Sequence, residues 1–348
     1  MEGCLLNRVV NGYGEKNITI VFYPNHGAGF CNNFRAIRSF FLLSALYGYR
    51  FRGNSLLYII LVVLWGDYFS VMDDRLQSLQ YFGKECSRTS FQQIVRESLN
   101  ASCYFITHMH DLTYYIYSNA NSSIRMRSLF HELPDKRILT KQLSHLLFNL
   151  KKPLKEQAQQ IGERMNPPLI GLQIRTGGNL ASFKDSASYI KMDNLVNVIN
   201  LINTIITNNK LENGTIFLST DSAVVQDHLK RVIHKVVTAD VYQIGHTARG
   251  RTDYNDSFVK RAVIDLFLLS RCDYLIVTKG SSFGDTAVIL SSVNTVFQVS
   301  CHVCAETVSF EQSIRLYIGV HDLLPMKARL SVVLLLIHSH YQTSYEEY

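Results

Sequence analysis

From Leu169 onward the chain alternates between short runs of apolar and β-branched residues and longer stretches whose apolar residues recur at helical spacing. Strand-like runs fall at 169–174, 215–219, 236–244, 274–278 and 295–299. Helix-like stretches fall at 194–207, 223–233, 258–269 and 283–290, the third of them apolar nearly all round, as a buried helix is. Few folds accept that order. Strands separated by helices pair in parallel, and the helices then cover both faces of the sheet. The expected fold class is α/β. Such sheets bind ligands outside the carboxyl ends of their strands, so polar loops that follow a strand are where chemistry belongs.

The first half carries a weaker pattern. A strand at 18–23 breaks at a turn-rich loop from Pro24 to Gly29, and a long apolar helix follows at 32–46. Residues 56–64 read as a second buried strand, and 69–121 show no clear order. Residues 134–164 read as mostly helical, interrupted at Pro153 and stopped by Asn166-Pro167-Pro168. That stop is the expected boundary between halves, giving units at 1–165 and 166–330 and a tail at 331–348. There is no internal repeat.

Composition narrows the partners. A 348-residue chain that is 47% hydrophobic and 18% charged builds a sizeable core and is not disordered. Its net charge of +7 suits an anionic ligand, yet no basic run is dense enough for nucleic acid, so no nucleic-acid partner is expected. Cys301 and Cys304 form the one C-x-x-C among seven cysteines. Zinc would need a second pair, so no metal is expected, and buried thiols or a local disulfide explain the pair better. No signal peptide is expected ahead of the first strand, and the apolar runs at 56–65 and 332–337 are too short to span a bilayer. Sequons at Asn17, Asn100, Asn121, Asn213 and Asn255 hint at a lumenal protein.

Five polar stretches are candidates. Strand 169–174 ends on Arg175, followed by Thr176, Gly177, Gly178 and Asn179. A guanidinium binds phosphate bidentately and glycines let backbone approach a ligand, but a tight turn with Arg175 paired to a carboxylate explains the same residues. Thr278 to Asp285 joins a strand to a helix, where N–H groups and the hydroxyls of Ser281 and Ser282 suit an anion; a Ser282/Asp285 capping box fits equally. Asp221 or Ser222 caps the helix after 215–219. Asp265 lies in an apolar stretch and needs a partner, either Arg261 one turn earlier or the N–H edge of a guanine. Finally, the loop from His26 to Arg35 feeds the long helix, but its glycines fail the G-x-G-x-x-G spacing, which discounts a nicotinamide enzyme.

In their order these stretches resemble the GDP-fucose-dependent fucosyltransferases that make α-1,2, α-1,6 and protein O-linkages, and in style the plant xyloglucan enzymes most. The residues that carry the likeness are Gly29-Phe30-Cys31-Asn32-Asn33-Phe34-Arg35, Gln173-Ile174-Arg175, Ser219-Thr220-Asp221, and the run from Asp265 through Ser270 and Asp273 to Ser281-Ser282. Cys31 and Asn33 depart from the family's glycine and arginine at the first of these. The resemblance implies two Rossmann-like domains facing a cleft (the glycosyltransferase B type). It further implies a metal-independent, inverting transfer of fucose from GDP-fucose to a glycan or glycoprotein hydroxyl, with no cofactor. Arg175 would stabilise the leaving diphosphate, and Gln173, Asp221, Asp265, Ser281, Ser282, Phe283, Asn32 and Gly29 would bind the donor, Asp265 reading guanine. A general base would come from His26, Asp73, Asp74, Asp111 or Asp185. The family works in the Golgi lumen behind a membrane anchor, which this chain is not expected to carry. A different nucleotide-sugar donor, or a catalytically silent binding relative, is the alternative.

Overall fold

The computed structural model describes residues 16–22, 25, 27–53, 87–177, 189–247, 255–293 and 296–299. Its elements form two parallel sheets, each covered by helices.

The first sheet begins with β1 (Thr19–Phe22), whose Ile20, Val21 and Phe22 are buried. Helix α1 (Phe30–Tyr47) follows and ends where Gly48 turns left-handed at φ 71°, a conformation that favours glycine. Tyr49 N–H then reaches back to the Ser44 carbonyl at 2.8 Å, closing the helix end. Next come β2 (Arg50–Gly53), β3 (Ser87–Arg88), α2 (Phe91–Val95) and β4 (Cys103–Ile106). The strand order is β2-β1-β4-β3, with Thr19 opposite both Arg50 and Cys103. Four helices complete this half: α3 (Thr113–Ser118), α4 (Ala120–Phe130), α5 (Lys136–Leu147) and α6 (Lys152–Gly162). The helical stretch breaks at 148–151, between α5 and α6, and Pro153 sits in the first turn of α6, where its missing N–H costs nothing.

The second sheet is built from β5 (Leu169–Ile174), α7 (Leu195–Asn208), β6 (Thr215–Thr220), α8 (Ala223–Val232), β7 (Val236–Val237), α9 (Asp256–Leu269), β8 (Tyr274–Thr278), α10 (Ser282–Leu290) and β9 (Val296–Val299). Its order is β7-β6-β5-β8-β9, all parallel. Chain progression reverses between β5 and β8, so the crevice at their carboxyl ends is the topological switch point. Val198 and Ile202 of α7 and Val225 and Leu229 of α8 share an apolar cluster with Leu172, Ile174 and Leu218 of the sheet. Helix α9 packs on the opposite side, close enough that a Cβ at Gly171 would stand 3.0 Å from Leu269 Cδ2, and only 2.5 Å from Leu275 Cδ2 of the neighbouring β8.

Helix α6 packs against α9, and α10 touches both α1 and α5, so the two sheet–helix units join through their helices. The result is a glycosyltransferase B-like α/β architecture. One expected strand is mostly absent: only Val236 and Val237 of 236–244 pair with β6. The chain turns immediately afterwards, where Thr238 Oγ1 donates to Asp240 Oδ1 at 2.6 Å, and the remainder becomes a loop at the switch point. The predicted strand at 56–64, the Cys301–Cys304 pair and the 331–348 tail lie outside the described residues. Among the described residues, no helix is long and apolar enough to cross a membrane.

Candidate functional site

A cavity of about 310 Å³ lies at the carboxyl ends of both sheets. The first unit contributes Gly27 to Asn32 and Met109. The second contributes the ends of β5 and β6, one side of α9, the start of α10 and the loop that replaces the expected strand. Every proposed donor-binding residue lines it: Gly29, Asn32, Gln173, Arg175, Asp221, Asp265, Ser281, Ser282 and Phe283.

Arg175 leaves β5 with its backbone N–H bonded to Thr278 Oγ1 of β8 at 2.9 Å. Gln173, two residues earlier, ties the same strands together: its Oε1 accepts from Thr278 N–H at 3.1 Å and its carbonyl from the Thr278 hydroxyl at 3.1 Å. Glutamine in a buried strand is thereby explained by a filled hydrogen-bond demand. The start of α10 passes directly over this point, since a Cβ at Gly284 would fall 2.7 Å from Gln173 Oε1.

The Arg175 guanidinium pairs with Asp221, Nη1 to Oδ2 at 3.2 Å, and lies 5.9 Å from the Tyr189 ring centre. The carboxylate reading and the cavity reading of Arg175 thus hold together. Asp221 is not the helix cap. Ser222 caps α8 by accepting from Val225 N–H at 3.3 Å, while Asp221 accepts from Thr176 N–H at 2.8 Å, Thr176 Oγ1 at 3.0 Å and Gly177 N–H at 3.0 Å. Its charge holds the turn after β5 in shape. Gly177 adopts φ 75°, so the turn needs its glycine, whereas Gly178 and Asn179 lie outside the described residues.

Asp265 is buried at the cavity floor, where Arg261 Nε donates to one oxygen at 2.9 Å and Ser219 Oγ to the other at 2.8 Å. Burial pushes its carboxyl above the usual range, with Arg261 and the Ser219 hydroxyl acting against that push. Arg261 also donates to the Tyr242 carbonyl at 3.2 Å and Gln226 Oε1 at 3.0 Å.

Two helix N-termini border the cavity. Helix α10 is capped by Ser281, which accepts from Gly284 N–H at 3.3 Å, one residue before the expected Ser282. Asp285 therefore does not close a capping box, and instead stands 3.7 Å from Arg35 of α1. Helix α1 starts at Gly29 without a side-chain cap. Its first N–H, from Phe30, donates at 2.8 Å to Thr247 Oγ1 in the other unit. A Cβ at Gly29 would approach that same oxygen to 3.1 Å, which accounts for glycine here. Asn33 braces the turn, donating to the Ala28 carbonyl at 3.0 Å and accepting from Asn25 N–H at 2.8 Å. Cys31, beside it, is a buried free thiol that burial pushes up to about 12, despite a bond with Thr286 and the nearby Arg35 and Arg175 charges.

Among the suggested bases, Asp111 is committed elsewhere. It pairs with buried Arg38, accepts from Ser39 Oγ at 3.0 Å and Thr113 N–H at 2.9 Å, and lies 3.8 Å from Arg35. His26, Asp73, Asp74 and Asp185 lie outside the described residues. Sequence reasoning missed Tyr189, Ile244, His246, Thr247 and Phe258, all of which line the cavity. The 236–244 run looked like a strand, and only the Gly245-His246-Thr247 break beyond it signalled a loop. No group of three His, Cys, Asp or Glu side chains converges as a metal site would require, among the described residues.

This architecture is shared with known proteins. Residues 137–287 match the family model described as alpha-(1,6)-fucosyltransferase N- and catalytic domains. A mutant of Arabidopsis thaliana FUT1, solved in complex with GDP, superposes with a TM-score of 0.54 at 13% identity, covering 84% of this chain and 74% of that one. The fucosyltransferase NodZ from Bradyrhizobium is 14% identical over 79% of this chain and 92% of its own, with a TM-score of 0.46. No curated protein sequence matches the chain. The chain shares its fold with the FUT1 structure, and its residues 137–287 resemble the fucosyltransferase family model.

Proposed function

We propose that the protein is an inverting fucosyltransferase that moves fucose from GDP-fucose to a glycan or glycoprotein hydroxyl without a metal. One observation carries the reading: the switch-point cavity gathers Arg175, the Ser281–Ser282 helix start and the α1 helix start around one space. Helix N-termini and a guanidinium are the groups that hold a diphosphate. The family-model match over 137–287 supports the same chemistry, since it spans β5, β6, β8 and the start of α10.

In this reading the donor's diphosphate lies between Arg175 and the α10 start. As the bond from fucose C1 to the diphosphate oxygen breaks, negative charge grows on that oxygen. A guanidinium already held by Asp221 meets it without reorganising, which favours the transition state over the ground state. Asn32 stands at the α1 start on the sugar side, and Phe283 and Asp265 face the base. The acceptor hydroxyl attacks C1 from the opposite face, inverting it. The Cys103 disulfide supports a lumenal setting, such as the Golgi, because disulfides persist in oxidising compartments.

A second reading, another nucleotide-sugar donor, is favoured by one observation. Both Asp265 oxygens already accept bonds, from Arg261 and Ser219, which leaves a base only their remaining lone pairs. Titration calorimetry with GDP and with UDP separates the two. GDP binding at least ten times tighter than UDP is expected, and equal or reversed affinities overturn the guanine assignment.

A further inference from the structure

The five sequon asparagines are all exposed, yet their side chains differ. Asn100 Oδ1 accepts from the Tyr104 hydroxyl at 2.9 Å, Asn121 Nδ2 donates to the Val95 carbonyl at 3.5 Å, and Asn255 Oδ1 caps α9 by accepting from Ser257 N–H at 2.8 Å. Among the described residues, the side-chain amides of Asn17 and Asn213 make no hydrogen bond. These two are also the sequons that end in threonine, Asn17-Ile18-Thr19 and Asn213-Gly214-Thr215.

Position separates the sets further. Thr19 opens β1 and Thr215 opens β6, so both asparagines stand at the amino ends of parallel strands. The cavity is at the carboxyl ends. At ~3.3 Å per strand residue, a group on either asparagine starts more than ~10 Å from that rim. Asn255 is the opposite case: Phe258 and Arg261, on the first turns of the helix it caps, line the cavity.

We infer that Asn17 and Asn213 carry N-linked oligosaccharides and that Asn255 does not. In the transfer, Asn Nδ2 bonds to the anomeric carbon of a lipid-pyrophosphate-linked oligosaccharide. The bond from that carbon to the pyrophosphate oxygen breaks, the lipid pyrophosphate leaves, and the amide proton passes to a base of the transferase. At Asn213 this must precede folding, so the finished fold decides only which glycans it tolerates, and one on Asn255 would stand at the cavity rim. Thr215 is 3% exposed in the finished sheet, its hydroxyl accepts from Asn166 N–H at 2.9 Å, and a Cβ at Gly214 would stand 2.4 Å from the Pro168 carbonyl oxygen. A sequon pinned in this way cannot extend into a transferase. The Cys103 disulfide, formed in an oxidising compartment, is an independent sign that the chain passes where such transfer happens. The inference rests on the lumenal part of the proposed function and not on the sugar donor.

The test uses the natural full-length protein recovered from its source cells. Digestion with peptide-N-glycosidase F in heavy-oxygen water converts each glycan-bearing asparagine to labelled aspartate, read by peptide mass spectrometry. Label at 17 and 213 and none at 255 is the expected result. An unlabelled Asn17 or Asn213, or a labelled Asn255, overturns the inference. Thiol alkylation of the same sample before and after reduction tells where a failure lies. Oxidised Cys103 beside bare asparagines defeats the glycan assignment alone, whereas reduced Cys103 beside bare asparagines defeats the lumenal reading with it. Asn213→Gln should remove one glycan and leave GDP binding unchanged within twofold.

Discussion

Each unit contains an arginine–aspartate pair next to a strand's carboxyl end, and the two pairs do different work. In the first unit Arg38 is 1% exposed, and it pairs with Asp111 and donates to Ser144 Oγ at 2.9 Å. In the second, Arg175 keeps 22% of its side chain exposed while Asp221 keeps 7%. In one pair the cation is sealed and the acid faces outward; in the other the order is reversed. The sealed Arg38 does not line the cavity and ties α1 to Asp111 and Ser144. An arginine anchored by a buried acid, with its own head lining a cavity, presents its charge to that space. The exposure of the cation, more than the presence of the pair, separates scaffold from site.

The strongest way to break this contrast is Arg38→Ala. It leaves the partly buried Asp111 without its main counter-charge and Ser144 without a donor, and should cost ~3–5 kcal/mol of stability. Urea unfolding measures it. A loss below about 1 kcal/mol would mean that the sealed pair is not structural and the contrast fails.

Gly284→Ala probes the second unit. The new methyl would press Gln173 Oε1, which holds Thr278 N–H and so the geometry of the Arg175 turn. Overpacking of this kind costs ~1–3 kcal/mol, and GDP affinity should fall at least tenfold by calorimetry. Unchanged affinity would detach the α10 start from the donor site.

Acid sharpens the comparison from another side. Burial pushes the Asp111 carboxyl up, but Arg38, the Thr113 N–H and the Ser39 hydroxyl outweigh it and hold it below the ordinary range. A carboxyl whose folded pKa lies below its unfolded value of ~3.9 adds stability at neutral pH. That contribution is lost as pH falls below the unfolded value and through the folded one. Asp111→Asn should therefore show a flatter decline in urea midpoint below about pH 4 than wild type. Parallel declines would remove Asp111 from the account.

The smallest effect belongs to the link between the units. Arg35 and Asp285 stand 3.7 Å apart and both are partly exposed, so the pair is worth ~0–1 kcal/mol. Asp285→Asn should therefore shift the urea stability by no more than ~1 kcal/mol. A larger loss would make the pair a main tie between the units.

The second unit was largely legible in the sequence because its strands are buried on both faces and read as continuous apolar runs, as 169–174 and 274–278 do. The polar residues at their exits were legible for the same reason: Arg175 and Asp221 stand out against an apolar strand. The division of labour was not legible. That Asp221 holds the Thr176–Gly177 turn while Ser222 caps α8 depends on which acceptor meets which N–H, and both residues suit either role. The loop at 238–247 was hidden because its β-branched residues mimic a strand, while the end of pairing is decided by an Asp240 turn and a two-residue edge. The first unit was harder: its long apolar helix α1 was legible, but β3 is two residues long and β4 four, too short to stand out.

The central claim is that Arg175 acts on the leaving diphosphate in the transition state. It is tested most directly by single-turnover and steady-state transfer from GDP-fucose, comparing wild type with Arg175→Ala beside GDP affinities of the same two proteins. The account predicts that kcat falls at least ~100-fold, near 3 kcal/mol of lost transition-state stabilisation, while GDP affinity falls much less. Equal losses in kcat and in GDP affinity, or a variant that turns over at the wild-type rate, would contradict it.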